Sequence, residues 1–179
     1  LSIVNTRFFR NQCEGSGPDL GGAAVRVREM SGASPVYVVG STFGGASGFG
    51  NSCSNGGGLS GLAASTSVIN SVFTHNQAVG VGANPQRAGT PGGGSGGAIY
   101  MDGNRFDLSV CGTAINNNRA NEGGGAIFYV SNNGSGTMSL TNSTFSANPS
   151  AGFETQGLPG MFVLAAPGQP VVSTSSLSP

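Results

Sequence analysis

Asn70-Ser71-Val72-Phe73-Thr74-His75-Asn76 decides the fold, because the chain writes this stretch more than once. Asn5-Thr-Arg-Phe8-Phe-Arg-Asn11 and Asn142-Ser-Thr-Phe145-Ser-Ala-Asn148 share its pattern, N-[ST]-x-F-x-x-N. Two weaker copies lie between them: Gly40-Ser-Thr-Phe43-Gly-Gly-Ala46 and Gly112-Thr-Ala-Ile115-Asn-Asn-Asn118. The anchors Phe8, Phe43, Phe73, Ile115 and Phe145 stand 35, 30, 42 and 30 residues apart. A period of this size marks a chain built from stacked supersecondary units.

Columns read across the five copies are chemically uniform. Two residues before the anchor stand Thr6, Ser41, Ser71, Thr113 and Ser143, all small hydroxyls. Five before stand Ile3, Val38, Val68, Val110 and Leu140, and seven before stand Leu1, Val36, Thr66, Leu108 and Met138. Three before stand Asn5, Gly40, Asn70, Gly112 and Asn142, residue types that tolerate a left-handed backbone. A second motif, a glycine pair opening a short apolar strand, follows each anchor. Its copies are Gly21-Gly-Ala-Ala-Val25, Gly57-Gly-Leu-Ser60, Gly96-Gly-Ala-Ile-Tyr100, Gly124-Gly-Ala-Ile-Phe128 and a degenerate Pro159-Gly-Met-Phe-Val163. The pair reads as a tight corner where one coil passes close to the next. A phosphate loop does not fit, because no Lys is present and no helical pattern follows.

Composition agrees with a β-rich repeat. Only 8% of the 179 residues are charged, the formal net charge is zero and 33 residues are glycine. Gly, Asn, Ser and Thr are poor in helix interiors, and short β-rich runs such as Pro35–Val39 and Phe106–Val110 lie between turn clusters. Without basic excess the chain is a poor nucleic-acid binder. Its longest apolar run, Gly160–Ala166, is far too short for a transmembrane helix, and no signal-peptide pattern opens it. Together these features predict an all-β solenoid of about five coils over residues 1–163. Like residues should stack at roughly 4.8 Å, giving Phe, Val and Asn ladders. Residues 164–179 read as a Ser/Pro/Thr-rich tail or a partial further coil.

The paired motifs GGA[IVL] and FxxN resemble the repeats of the chlamydial polymorphic outer-membrane proteins. They also look like those of secreted bacterial right-handed parallel β-helix proteins, including choice-of-anchor surface proteins. That resemblance implies a pectin-lyase-like β-helix, right-handed, with export to the cell surface or beyond and adhesive or polysaccharide-associated roles. Two departures stand out: no membrane-translocating barrel is present, and the chain begins inside a repeat, at the place of Met138. It therefore reads as a fragment or processed piece.

Candidate chemistry is sparse. Cys13, Cys53 and Cys111 have no metal-site spacing. Cys111 takes an aliphatic column, while Cys13 and Cys53 sit in corners of successive coils, where a disulfide is an open alternative. His75 is the only histidine and reads as a surface residue without triad partners. The carboxylates are Glu14, Asp19, Glu29, Asp102, Asp107, Glu122 and Glu154. The one dense set, Asp102-Gly-Asn-Arg105-Phe-Asp107, reads as a turn with a local ion pair; the alternative is a lyase-like site with Arg105 as base. Arg119 and Glu122 read as a solvated turn pair, and Arg26 and Arg28 as a solvent-facing strand edge. The insertion between Phe73 and Gly96 is a functional loop or a flexible excursion. Asn133-Gly-Ser135 and Asn142-Ser-Thr144 are formal glycosylation sequons, relevant only in a eukaryotic source; Asn142 also occupies a ladder column.

The expected function is a non-catalytic structural or binding module of a secreted or cell-surface protein, contacting carbohydrate or adhesive. A polysaccharide lyase or hydrolase of the pectin-lyase type is the alternative, with Asp102, Arg105 and Asp107 as its site. No cofactor or metal is expected. Expected partners are a polysaccharide or surface glycan, another protein chain, or further coils of a parent protein. An ice-binding or self-assembling solenoid is a third reading, but Tyr37 interrupts its hydroxyl column of Ser2, Ser67, Ser109 and Ser139. The column Val4, Val39, Ile69, Cys111 and Thr141 should point outward although mostly apolar: either the backbone bends at the Asn/Gly column and turns it inward, or, the favoured reading, the long loop, the tail or another chain covers it.

Overall fold

The computed structural model describes residues 1–18, 20–29 and 34–179. Among them there is no helix, and the strands form four sheets wound as a parallel β-solenoid of about five turns. The first sheet stacks Ser2–Val4, Val36–Val39, Thr66–Ile69, Asp107–Cys111, Thr137–Thr141 and Val171–Ser173. The second stacks the anchor strands Arg7–Phe8, Thr42–Gly44, Val72–Thr74, Ala114–Asn116, Thr144–Ser146 and Ser176–Leu177. A short third sheet holds Ser52–Cys53, Gln77–Ala78 and Arg119–Ala120. The fourth holds Val25–Arg28, Leu59–Leu62, Ile99–Gly103, Ile127–Ser131 and Met161–Leu164. The C-terminal segment thus adds a further rung to the first two sheets.

The sequence columns are the physical columns. Phe8 pairs with Phe43, Phe43 with Phe73, Phe73 with Ile115 and Ile115 with Phe145. The Phe43 and Phe73 rings stack 4.4 Å apart, only 3° from parallel. Both are fully buried, as are Val38, Val68, Val110 and Leu140 from the aliphatic column. Two polar ladders run beside this core. In the first, the hydroxyl of each rung accepts from the backbone N–H one rung before, as from Thr6 to Ser41 (3.1 Å) and from Ser41 to Ser71 (3.1 Å). Each hydroxyl donates to the carbonyl two residues behind it, as Ser71 does to Ile69 (2.9 Å). Between this ladder and the first sheet, Asn5, Gly40, Asn70, Gly112 and Asn142 all hold φ between 48° and 60°, the left-handed bend expected of that column.

The second ladder consists of asparagines. Asn11, Asn51, Asn76, Asn118 and Asn148 pass side-chain hydrogen bonds from Nδ2 to Oδ1 at 2.8–2.9 Å. The Nδ2 groups of Asn51, Asn76, Asn118 and Asn148 also donate back to the carbonyls of Phe8, Phe43, Phe73 and Ile115. In the second turn Asn51, not Ala46, fills the ladder. Residues 46–50 bulge out, so the repeat loses its spacing there but keeps its hydrogen bonds. Asn142 is not part of this ladder; it is exposed and accepts from Thr174 Oγ1.

Pairing of Leu59 with Val25 and Ile99 aligns Gly56-Gly57, rather than Gly57-Gly58, with Gly96-Gly97. A Cβ on Gly97 would lie 2.5 Å from the Arg119 carbonyl, so the coil closes only around a hydrogen there. The apolar column through Val39 and Ile69 points outward, and each of the two is half-buried. The expected cover by loop or tail is absent. The loop after Phe73 folds against Pro18 and Glu122, and the tail continues the rungs. Stacking at the rung spacing lets adjacent members of the stripe shield one another.

Phe73→Ala should cost about 3–5 kcal/mol of unfolding free energy, the usual price of emptying an aromatic site in a packed core. Asn118→Ala should cost about 3 kcal/mol, because it strips partners from buried Asn76 and from the Phe73 carbonyl. Exposed Thr144→Ala should change stability by no more than about 0.5 kcal/mol. Urea denaturation of the three variants checks the ranking.

Candidate functional site

A broad concavity lies outside the asparagine ladder. Residues just before four of the five ladder asparagines turn left-handed: Arg10 (φ 56°), His75 (φ 58°), Asn117 (φ 55°) and Ala147 (φ 51°). Strand alternation then sends the ladder asparagine inward and the next residue outward. Gln12, Ser52, Gln77, Arg119 and Pro149 therefore form an outer row, while Cys53, Ala78 and Ala120 behind them are buried. Between the two outward rows runs a groove of about 650 Å³, lined also by Ser47, Gly48 and Gly50 of the second-turn bulge.

Its chemistry is polar. Arg119 Nη2 donates to Gln77 Oε1 at 3.2 Å, and among the described residues no carboxylate lines the groove. His75 Nδ1 is hydrogen-bonded to the Thr74 hydroxyl at 2.9 Å. His75 is half-buried here rather than an isolated surface residue. The floor is stiff, since every rung beneath it is tied by the asparagine ladder. Cys13 and Cys53 form a disulfide, their Cα atoms 4.8 Å apart, one residue beyond Gln12 and Ser52. The alternative left open by the sequence is thus settled, and the bond staples the first rung of the groove to the second. Cys111 is free and half-buried in the outward stripe.

The sequence-predicted turn lies on a different side. Asp102, on a strand of the fourth sheet, accepts from Asn132 Nδ2 (2.8 Å) and from the Tyr100 hydroxyl (3.2 Å). Asp107 starts a strand of the first sheet and accepts from the Thr137 N–H (3.0 Å) and hydroxyl (2.6 Å). Arg105 is exposed between them. The expected local ion pair does not form, because both carboxylates are engaged by the next rung; among the described residues the one salt bridge is Arg87–Glu122. Asp102 shares a smaller pocket with Arg28 and Glu29, which Arg105 and Asp107 do not line. Asp19 lies outside the described residues.

Glu122 corrects a second expectation. It is 2% exposed and not solvated, and its partner is Arg87 of the long insertion rather than Arg119. Glu122 Oε1 also accepts from the Gly82 N–H at 2.7 Å. The insertion is therefore fastened at both sides of its base and is not a free excursion. Arg26 and Arg28 face solvent as their alternation suggests. Outward aromatics Tyr100, Phe128 and Phe162 stack at 5.4 and 5.0 Å on the fourth sheet, but Phe128 is only 4% exposed, so this stripe offers little free face. Among the described residues no three His, Cys, Asp or Glu side chains converge as a metal site requires.

Behind the Asp102–Asp107 turn, Phe106 and Tyr129 plug the interior with ring centroids 4.7 Å apart. The Tyr129 hydroxyl lies 2.7 Å from the Phe106 carbonyl. Burial, and secondarily the charge of Asp107, push its ionisation well above the ordinary phenol value of 10.0. A raised value in the folded state means that the unfolded chain loses this proton first. Stability should hold below about pH 10 and fall above it, by up to about 1.4 kcal/mol per pH unit from this group. Tyr129→Phe should abolish that part of the alkaline slope while costing about 1 kcal/mol at neutral pH through the lost hydrogen bond. Denaturant midpoints between pH 8 and 11 check both.

Comparisons with protein-family models, with curated proteins and with solved structures find no match to this chain.

Proposed function

We propose that the chain is a non-catalytic binding module of a secreted or cell-surface protein, and that it holds an extended polysaccharide in the groove outside the asparagine ladder. The observation that carries this reading is the outer row Gln12, Ser52, Gln77 and Arg119, one hydrogen-bonding side chain per rung. Sugars present dense arrays of donors and acceptors but little charge. Amide, hydroxyl and guanidinium groups answer that pattern. A groove running along the solenoid axis suits a linear polymer, and a stiff floor spares the ordering cost of binding. The disulfide supports an exported setting, since such bonds persist outside reducing compartments.

The lyase or hydrolase alternative draws less support. Asp102 and Asp107 are held by Asn132, Tyr100 and Thr137, and they sit away from the groove. Titration of the protein with soluble polysaccharides, followed by calorimetry, should show binding that Arg119→Ala weakens about tenfold or more, a loss of about 1.4 kcal/mol. Arg105→Ala and Asp107→Ala should leave binding unchanged. Unsaturated uronide released by the wild-type chain and lost in Arg105→Ala would favour the lyase reading instead.

A further inference from the structure

Resting on that groove reading, we infer that its ligand is a two-fold extended, β-1,4-linked ribbon of hexopyranoses, recognised one disaccharide per two rungs. Gln12 pairs with Ser52 and Ser52 with Gln77, so the two glutamines occupy the same column two rungs apart. At the spacing of parallel strands this is roughly 10 Å, the length of a disaccharide in a fully extended ribbon. In such a ribbon each sugar is flipped relative to the last, so the same edge returns at every second residue. Two identical amides at that interval meet the same pair of hydroxyls. The intervening rungs, Ser52 and Arg119, face the flipped sugars and carry different chemistry.

The side chains are available for this. Gln12 makes no side-chain hydrogen bond among the described residues, and Gln77 is engaged only at Oε1, by Arg119. Each primary amide offers a donor and an acceptor together, which is what a pair of vicinal hydroxyls requires. A three-fold helical polymer would return its equivalent edge after three sugars and would place mismatched groups against one of the two glutamines. The lining is uncharged among the described residues except for Arg119 and the titratable His75, and the Arg119 guanidinium can donate to the hydroxyl or ring oxygens of a neutral ribbon.

The test titrates the full chain with cello- and chito-oligosaccharides of two and four sugars, and with an α-1,4-galacturonan tetramer as the three-fold probe. Either β-1,4 tetramer should bind at least about tenfold tighter than its dimer. Gln12→Ala and Gln77→Ala should each remove most of that gain, while dimer binding survives in at least one of them. Both side chains point outward, and unchanged circular dichroism and thermal melting verify that the variants fold. If the galacturonan tetramer binds as tightly as the β-1,4 tetramers and shows the same glutamine dependence, the two-fold period is overturned while the groove reading stands. If none of the probes binds, or none responds to the Gln or Arg119 variants, both readings fall.

Discussion

Side-chain amides stacked in register are what the rest of this solenoid depends on. Asn51, Asn76 and Asn118 are fully buried, and a buried amide without partners would cost several kcal/mol. Each is satisfied only because the rungs on either side carry asparagine in the same orientation. The hydroxyl column works on the same terms: Ser41 accepts from Thr6 and its own N–H finds Ser71. Among the described residues no buried side-chain nitrogen or oxygen is left without a partner. The ladders convert a local sequence repeat into a requirement on global geometry, since a slip of one residue in any coil would orphan groups in two others.

That requirement dictates where the chain can vary. Extra residues cannot enter between the hydroxyl column and the anchor, where the interval is short and uniform. They leave at corners instead. The second turn expels residues 46–50 and returns to place Asn51 in the ladder. The third turn expels the long segment that follows Val81 and closes it with an antiparallel bridge to Gly92. Its Arg87 is tied down by Glu122, whose burial is tolerable because Arg87 and the Gly82 N–H satisfy it together. Variation thus accumulates around the third sheet, whose few strands flank the groove.

Features with a strict register were legible in the sequence. Phe43, Phe73 and Ile115 were placed correctly because an interior column tolerates few residue types, and the left-handed column showed itself as Asn and Gly. Where the period breaks, the sequence pattern misleads: Ala46 stands at the motif's ladder place while Asn51 fills it, and three successive glycines at 56–58 hide a one-residue shift. The pairing of Glu122 with Arg87 was invisible because the two stand 35 positions apart and Arg87 belongs to an insertion outside the repeat. The groove was missed for a different reason. Gln12, Ser52, Gln77 and Arg119 share a column but not a residue type, so no uniform column drew attention to them. The signal available was their constant offset of one from the ladder asparagine.

The same asymmetry bears on function. Inward columns are uniform because the fold constrains them, so they report on stability and are silent about ligands. The outward stripe of Val39, Ile69 and Cys111 is uniform as well and needs no ligand to explain it, since β-branched and apolar side chains stack well along a flat parallel sheet. The row beside the asparagine ladder is the opposite case. Nothing in the solenoid requires a glutamine at Gln12 and again at Gln77, or a half-buried histidine at a left-handed position where glycine would relieve strain. Polar residues that the fold does not call for, gathered along one stiff concavity, are where the geometry leaves room for recognition. The ladder beneath fixes the interval at which those polar side chains recur.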